Sequence, residues 1–224
     1  MMSSSSFSHV HGSLSFHKYV KVGERKNGAG DSDSTMRSVC VFAGSELGSR
    51  QVYQQAARDL GEELARRRLG LVYGGASVGL MGELAAATLH AGGEAIGVVS
   101  QGVWTPEANH AGLTVLYEVG TMHERKALMT ELADGFIALP GGLGTFDELF
   151  EILTWAQLGL HTKPIGLLNI AGYFKPLLEL VASAVREGFI ARHPPFLVSE
   201  GAEVGMLLDQ LLQGRQAGPG APHA

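Results

Sequence analysis

The stretch Pro140-Gly-Gly-Leu-Gly-Thr-Phe-Asp-Glu148 constrains the fold of this chain more than any other. It follows an apolar run, Gly135-Phe-Ile-Ala-Leu139, that reads as a buried strand. It leads into Phe146, Leu149, Phe150 and Leu153, whose spacing reads as a helix. A glycine-rich turn between strand and helix lets backbone N–H groups approach an anion with no Cβ in the way. The positive end of the helix then favours negative charge at that point. A phosphate is the natural guest, and an acid one turn into the helix would lie beside whatever that phosphate carries.

Of the 224 residues, 45% are apolar, enough for one large α/β domain with a substantial core. A formal net charge of −5 argues against a protein that coats a polyanion, so no nucleic-acid partner is expected. The single cysteine, Cys40, excludes an internal disulfide and fits a reducing, cytoplasmic setting. It lies in the run Val39-Cys-Val-Phe42, where a buried, inert thiol is expected. No apolar run approaches the roughly 20 residues of a membrane span, and the N-terminus lacks the apolar centre of a signal peptide. No membrane partner is expected.

Residues 1–36, rich in Ser, His, Gly and Lys and without periodicity, read as a disordered leader, and 213–224 as a flexible tail. Between them strand and helix signals alternate. Strands are expected at 37–43, 69–73, 95–99, 135–139 and 164–169, with shorter extended pieces at 113–119 and 196–198. Helices are expected at 50–68, 79–91, 121–133, 145–158, 173–187 and 202–212. This alternation predicts one nucleotide-binding α/β domain over 37–212, with a Rossmann-like, doubly wound, mostly parallel sheet and helices on both faces. Ligands of such sheets bind beyond the carboxyl ends of the strands, where the strand order reverses.

Three strand ends carry unusual loops: Ala43-Gly-Ser-Glu46, Tyr73-Gly-Gly-Ala-Ser-Val-Gly-Leu-Met-Gly82 and the Pro140 segment. Each alone reads equally as turn glycines. Together, on successive parallel strands, they would form one rim for a nucleotide, with Gly44, Ser45, Gly74 and Gly75 among its candidates. The dehydrogenase G-x-G-x-x-G pattern is not cleanly met, no acid ends the second strand, and no G-x-x-x-x-G-K-[ST] loop exists.

In the helix from Thr121, residues Arg125, Leu128, Met129 and Leu132 share one stripe, which sets an arginine in line with core residues. Either its stem packs while its head reaches water, or the guanidinium is aimed at a ligand. Lys126 is adjacent and off the stripe, flanking the site or solvated. Thr121 and Glu124 have capping-box spacing, which explains Glu124 without catalysis. Thr145 and Glu148 have the same spacing, and capping could be all they do. Yet the periodicity turns Glu148 away from the apolar stripe, towards Glu151 and Trp155, a second surface fit for a substrate pocket or a subunit contact.

Met122-His-Glu-Arg125-Lys126 followed by the Pro140 segment resembles the paired signature MxxRK and PGGxGTxxE of the Lonely Guy family. Those are cytokinin riboside 5′-monophosphate phosphoribohydrolases, often mislabelled as lysine decarboxylases. The likeness runs from Val39 to about Phe189 and takes in Tyr73-Gly-Gly75, Gly79-Leu-Met-Gly82 and Thr154-Trp-Ala-Gln-Leu158. It implies hydrolysis of an N-glycosidic bond, with a free adenine-type base and ribose 5-phosphate as products. The resemblance implies that Arg125 and Glu148 are the catalytic pair. It implies that Gly141, Gly142, Leu143, Gly144 and Thr145 hold the phosphate, with Asp147 close to the ribose. Met122, Lys126, Glu107 and Thr154 match further ligand positions. It also implies a homodimer or larger assembly. Ala43, Glu46, Ser100 and Asp147 depart from the residues common in the family, and none touches the catalytic pair.

Glycosidic cleavage passes through an oxocarbenium-like state, which a carboxylate beside the ribose would stabilise. No cofactor or metal is required, and His90, His110, His123 and His161 lack close ligand spacing. A non-catalytic nucleotide carrier with the same fold is the rival expectation; it need not keep both Arg125 and Glu148. A decarboxylase would need a lysine for a Schiff base, and no lysine lies in such a motif.

Overall fold

The structure is a computed structural model that describes residues 20–22, 36–101, 112–190 and 197–216. Strands β1 (Val20–Val22), β2 (Ser38–Phe42), β3 (Gly70–Tyr73), β4 (Ala95–Ser100), β5 (Val115–Val119), β6 (Gly135–Ala138), β7 (Ile165–Leu168) and β8 (Leu197–Gly201) form one sheet. Its order is β1-β5-β4-β3-β2-β6-β7-β8. Every neighbouring pair is parallel except β1 with β5.

The helices are α1 (Gln51–Arg66), α2 (Gly79–His90), α3 (Met122–Leu132), α4 (Leu143–Gln157), α5 (Lys175–Arg186) and α6 (Val204–Gln216). Alternate strand residues face opposite sides. Val39, Val41, Leu71, Tyr73, Ile137 and Leu139 pack with Leu60 and Leu64 of α1, Leu84 of α2 and Leu207 of α6. Cys40, Phe42, Val72, Val98, Phe136 and Ala138 pack with Met129 of α3, Leu149 and Ile152 of α4, and Phe174 before α5. Both faces being covered, the inner strands read as continuous apolar runs. The doubly wound, mostly parallel fold expected from the alternation is the one observed.

Three elements differ from those expected. Val20–Val22 falls in the stretch expected to be a disordered leader, yet it pairs antiparallel with β5, Val20 opposite Glu118. Three residues are too few to carry a period, and the strand covers a sheet edge otherwise left open. Helix α6 runs on to Gln216, past the expected boundary at 212. Helix α4 begins at Leu143 with Gly142 as N-cap, so Thr145 lies inside the first turn and makes no capping box with Glu148. The Thr121–Glu124 box does form, with bonds of 3.2 and 2.9 Å.

Candidate active site

From β2 the chain winds through β3 and β4 to β5, then returns to β6 on the other side of β2. The strand order therefore reverses between β2 and β6, and their carboxyl ends carry the Ala43 and Pro140 loops. Gly44 N–H donates to the Pro140 carbonyl at 3.2 Å and ties the loops together. A Cβ on Gly141 would lie 2.1 Å from Thr145 Oγ1 and 2.9 Å from Gly44 N, so only glycine lets the loops approach this closely. A cavity of about 430 Å³ opens above them.

Arg125 and Glu148 meet inside this cavity. Arg125 Nη1 donates to Glu148 Oε1 at 2.7 Å, and Arg125 Nε donates to the carbonyl of Val98, within β4, at 2.9 Å. Each residue is 9% exposed. The guanidinium is therefore held at two points, which answers the snorkelling alternative. Gly74 makes room for it, since a Cβ there would sit 2.3 Å from Arg125 Nη2. Neither Arg125 Nη2 nor Glu148 Oε2 has a hydrogen-bond partner among the described residues. Burial pushes the Glu148 carboxyl above its ordinary value of 4.5; the charge and hydrogen bond of Arg125 oppose this without cancelling it. Below the pair, burial raises the Cys40 thiol, which stays inert.

Glu148 also corrects the periodicity. The buried stripe of α4 is Thr145, Glu148, Leu149, Ile152, Leu153 and Ala156, so Glu148 points inward. Phe150, expected in the core, is 41% exposed. An acid was not expected on a buried stripe because its partner, Arg125, lies on another helix.

The N-terminus of α4 points into the cavity through Gly142, Leu143, Gly144 and Thr145, with no side-chain cap. Its first-turn N–H groups have no acceptor within the helix. A Cβ on Gly142 or Gly144 would meet nothing within 4 Å, so protein packing does not demand glycine at either place. The space they keep open lies towards the cavity.

Ser45, Gly74, Met122 and Asp147 also line the cavity. Gly44, Gly75 and Gly141 are not among its lining residues; Gly75 has φ +79° and faces Val99. Lys126 Nζ bridges Asp147 at 3.0 Å and Glu151 at 3.1 Å, holding Asp147 at the rim. Thr154 is not brought to the cavity: it is exposed, and its hydroxyl donates to the Phe150 carbonyl. Glu107 and His110 lie outside the described residues. Val78, Met81, Val99 and Ser100 line the cavity without having been singled out for it. Ala76 and Val78 sit in the loop between β3 and α2, and Met81 lies in the first turn of α2. Ser100, noted only as a departure, is 2% exposed and donates to Met122 Sδ at 2.9 Å.

A family model described as "Possible lysine decarboxylase" matches residues 81–209. The chain is 54% identical over 157 residues to the cytokinin riboside 5′-monophosphate phosphoribohydrolase of Rhodococcoides fascians, covering 70% of this chain and 79% of that protein. It is 48% identical over 161 residues to one of that description from Arabidopsis thaliana, covering 72% and 74%. Among solved structures, the molybdenum cofactor carrier protein of Chlamydomonas reinhardtii matches with a TM-score of 0.60 and 23% identity, over 79% of this chain and 98% of that one. That likeness concerns the fold alone. At half-identity over most of its length, the chain belongs to the Lonely Guy family of cytokinin riboside 5′-monophosphate phosphoribohydrolases.

Proposed function

We propose that this protein hydrolyses the N-glycosidic bond of N6-substituted adenosine 5′-monophosphates, releasing the cytokinin base and ribose 5-phosphate. The observation that carries this reading is the buried Arg125–Glu148 pair facing an uncapped helix N-terminus across one cavity. The phosphate sits on the first-turn amides of α4, where the helix dipole favours its charge. The ribose then lies beside Glu148, and the base extends towards the apolar side chains of Val78, Met81, Val99 and Met122. The names of the relatives supply the substrate class.

As the C1′–N bond breaks, its electron pair leaves on the base and positive charge grows on the ribose. The Glu148 carboxylate stabilises that charge, and in a site this buried its effect is stronger than in water. Its free oxygen orients water for addition to C1′, and the water's proton ends on the departing base. Arg125 holds Glu148 through Nη1 and offers Nη2 to the substrate. Phosphate binding far from C1′ orients the reacting centre, which gives preference for the monophosphate over the nucleoside.

The decarboxylase description finds no chemical footing among the described residues. None of the described residues lining the cavity is a lysine. Burial lowers the Lys126 pKa, but the hydrogen bonds and charges of Asp147 and Glu151 raise it overall, the wrong direction for a Schiff-base amine.

A homodimer is part of the same proposal. No residue of α5 is buried in the single chain, although its sequence is amphipathic, and Phe150 and Leu180 expose apolar surface on that side of the sheet. Among the described residues no helix is long and apolar enough to cross a membrane. With one buried thiol, the chain suits the cytoplasm.

The test is product analysis with isopentenyladenosine 5′-monophosphate, AMP and unphosphorylated isopentenyladenosine. Free base and ribose 5-phosphate are expected from the monophosphates, with little release from the nucleoside. Tight binding of the monophosphates with no base released would make the protein a carrier.

A further inference from the structure

We infer that Tyr173 is a positioning residue for the phosphate: its hydroxyl donates to the Gly141 carbonyl and thereby fixes the Gly142 N–H towards the cavity. This inference rests on the phosphate site proposed above. Tyr173 does not line the cavity and lies far along the chain from the Pro140 loop. It reaches the loop from outside the set of cavity-lining residues, and its hydroxyl bonds the Gly141 carbonyl.

The peptide bond joining Gly141 to Gly142 is planar and trans, like all those described, so its C=O and N–H point in opposite directions. Holding the carbonyl down on Tyr173 therefore turns the Gly142 N–H up, on the side where Gly142 lines the cavity. Without that bond, two consecutive glycines would leave this peptide plane free to rotate. Among the described residues, no acceptor takes the N–H of Gly142, Leu143, Gly144 or Thr145, while Phe146 N–H opens the helix by bonding the Gly142 carbonyl at 3.1 Å. The Gly142 amide is thus the outermost of a set of donors left for an anion, and the one whose direction depends on a side chain elsewhere.

Tyr173 is itself fixed. It follows the 3-10 turn Ile170–Gly172 after β7, where Ala171 has φ 53° and Gly172 φ 74°. Asn169, 7% exposed, holds that turn: its N–H donates to the Gly201 carbonyl at 2.8 Å, and its Oδ1 accepts from Phe174 N–H at 2.7 Å. The Tyr173 ring stacks on Phe146 of α4 at 6.4 Å and meets the edge of Tyr53 at 6.0 Å. A Phe in its place would keep these ring contacts and lose only the donor.

The experiment measures ribose 5-phosphate and ribose binding by calorimetry, together with KM and kcat on isopentenyladenosine 5′-monophosphate, for wild type, Tyr173→Phe and Tyr53→Phe. For Tyr173→Phe we expect the ribose 5-phosphate Kd and the KM to rise about three- to tenfold, the span set by one hydrogen bond. The kcat should stay within about twofold and ribose binding should not change. Tyr53→Phe removes a hydroxyl from the same aromatic cluster without touching Gly141, and should match wild type. Unchanged ribose 5-phosphate affinity in Tyr173→Phe, or equal losses in both variants, would overturn the role of Tyr173 while leaving the phosphate site standing. A wild-type protein that binds ribose 5-phosphate no better than ribose would overturn the phosphate site and this inference with it.

Discussion

At the scale of single residues, the site is organised by what a buried arginine requires. Arg125 donates through Nε to a carbonyl and through Nη1 to a carboxylate, and Gly74 leaves room for Nη2. Gly74→Ala would push a methyl group against Nη2, the mobile end of a side chain, so the guanidinium would move more easily than the backbone. We expect turnover to fall at least tenfold while the melting temperature changes little, a combination that parallel kinetics and calorimetry would reveal. Gly144→Ala behaves differently. Its Cβ meets no protein atom, and alanine favours the helix over glycine by about 0.5–1 kcal/mol in an interior position. The variant should be as stable as wild type or slightly more so, yet bind the monophosphate more weakly; unchanged binding would show that no anion approaches that turn.

Glu148 also sets a pH dependence. Its carboxyl is raised above 4.5, chiefly by burial, so the fold favours the protonated form. The stabilising contribution of that form is complete below the unfolded-state value and is lost as pH rises through the folded-state value. In the proposed mechanism catalysis needs the ionised form. The acid limb of kcat/KM should therefore have an apparent pKa above 4.5, and a pH–rate profile with its limb below that value would contradict the assignment.

At the scale of elements, the legible and illegible parts divide by the range of the interaction. The strand from Gly135, the Pro140 turn and the helix after it are local patterns, as is the Thr121–Glu124 box, and all of them form. The face of α4 is not local. Its apolar spacing points to Phe146 and Phe150, but Arg125 draws Glu148 inward, and the buried stripe rotates to include Thr145 and Ile152. Tyr173 has no motif around it that announces a role, because its partner is a backbone carbonyl on a distant loop. Val20–Val22 was illegible for a third reason: its hydrogen bonds, not its composition, make it a strand.

Helix α5 carries a prediction at this scale. It buries no residue within the chain, and Leu180 is 64% exposed. If α5 is covered by a second copy, a charge at Leu180 removes a contribution of about 1.5–3 kcal/mol from each side of the contact. Leu180→Glu should therefore shift the sedimentation coefficient towards the monomer at micromolar protein. An unchanged coefficient would place the subunit contact elsewhere.

At the scale of the molecule, the doubly wound sheet is what brings the parts together. Arg125 comes from the helix after β5, Glu148 from the helix after β6, the Val98 carbonyl from within β4 and Gly74 from just past β3. They converge because the strand order reverses beside β2, so loops distant in sequence share one crevice. The two signatures that carry the family likeness are the two halves of this single pair. In the proposed mechanism their convergence is what separates a site that stabilises charge at C1′ from a rim of glycines that only holds a nucleotide.

The most direct measurement compares wild type with Glu148→Gln on isopentenyladenosine 5′-monophosphate, with binding followed by calorimetry and base release by single-turnover chromatography. Gln keeps the shape and an acceptor for Arg125 but not the negative charge. The dissociation constant should stay within about threefold while the rate of base release falls by about a hundred- to a thousandfold, the range for losing one electrostatic stabiliser of a transition state. Base release at the wild-type rate would contradict the central claim that the buried carboxylate is the group that cleaves the bond.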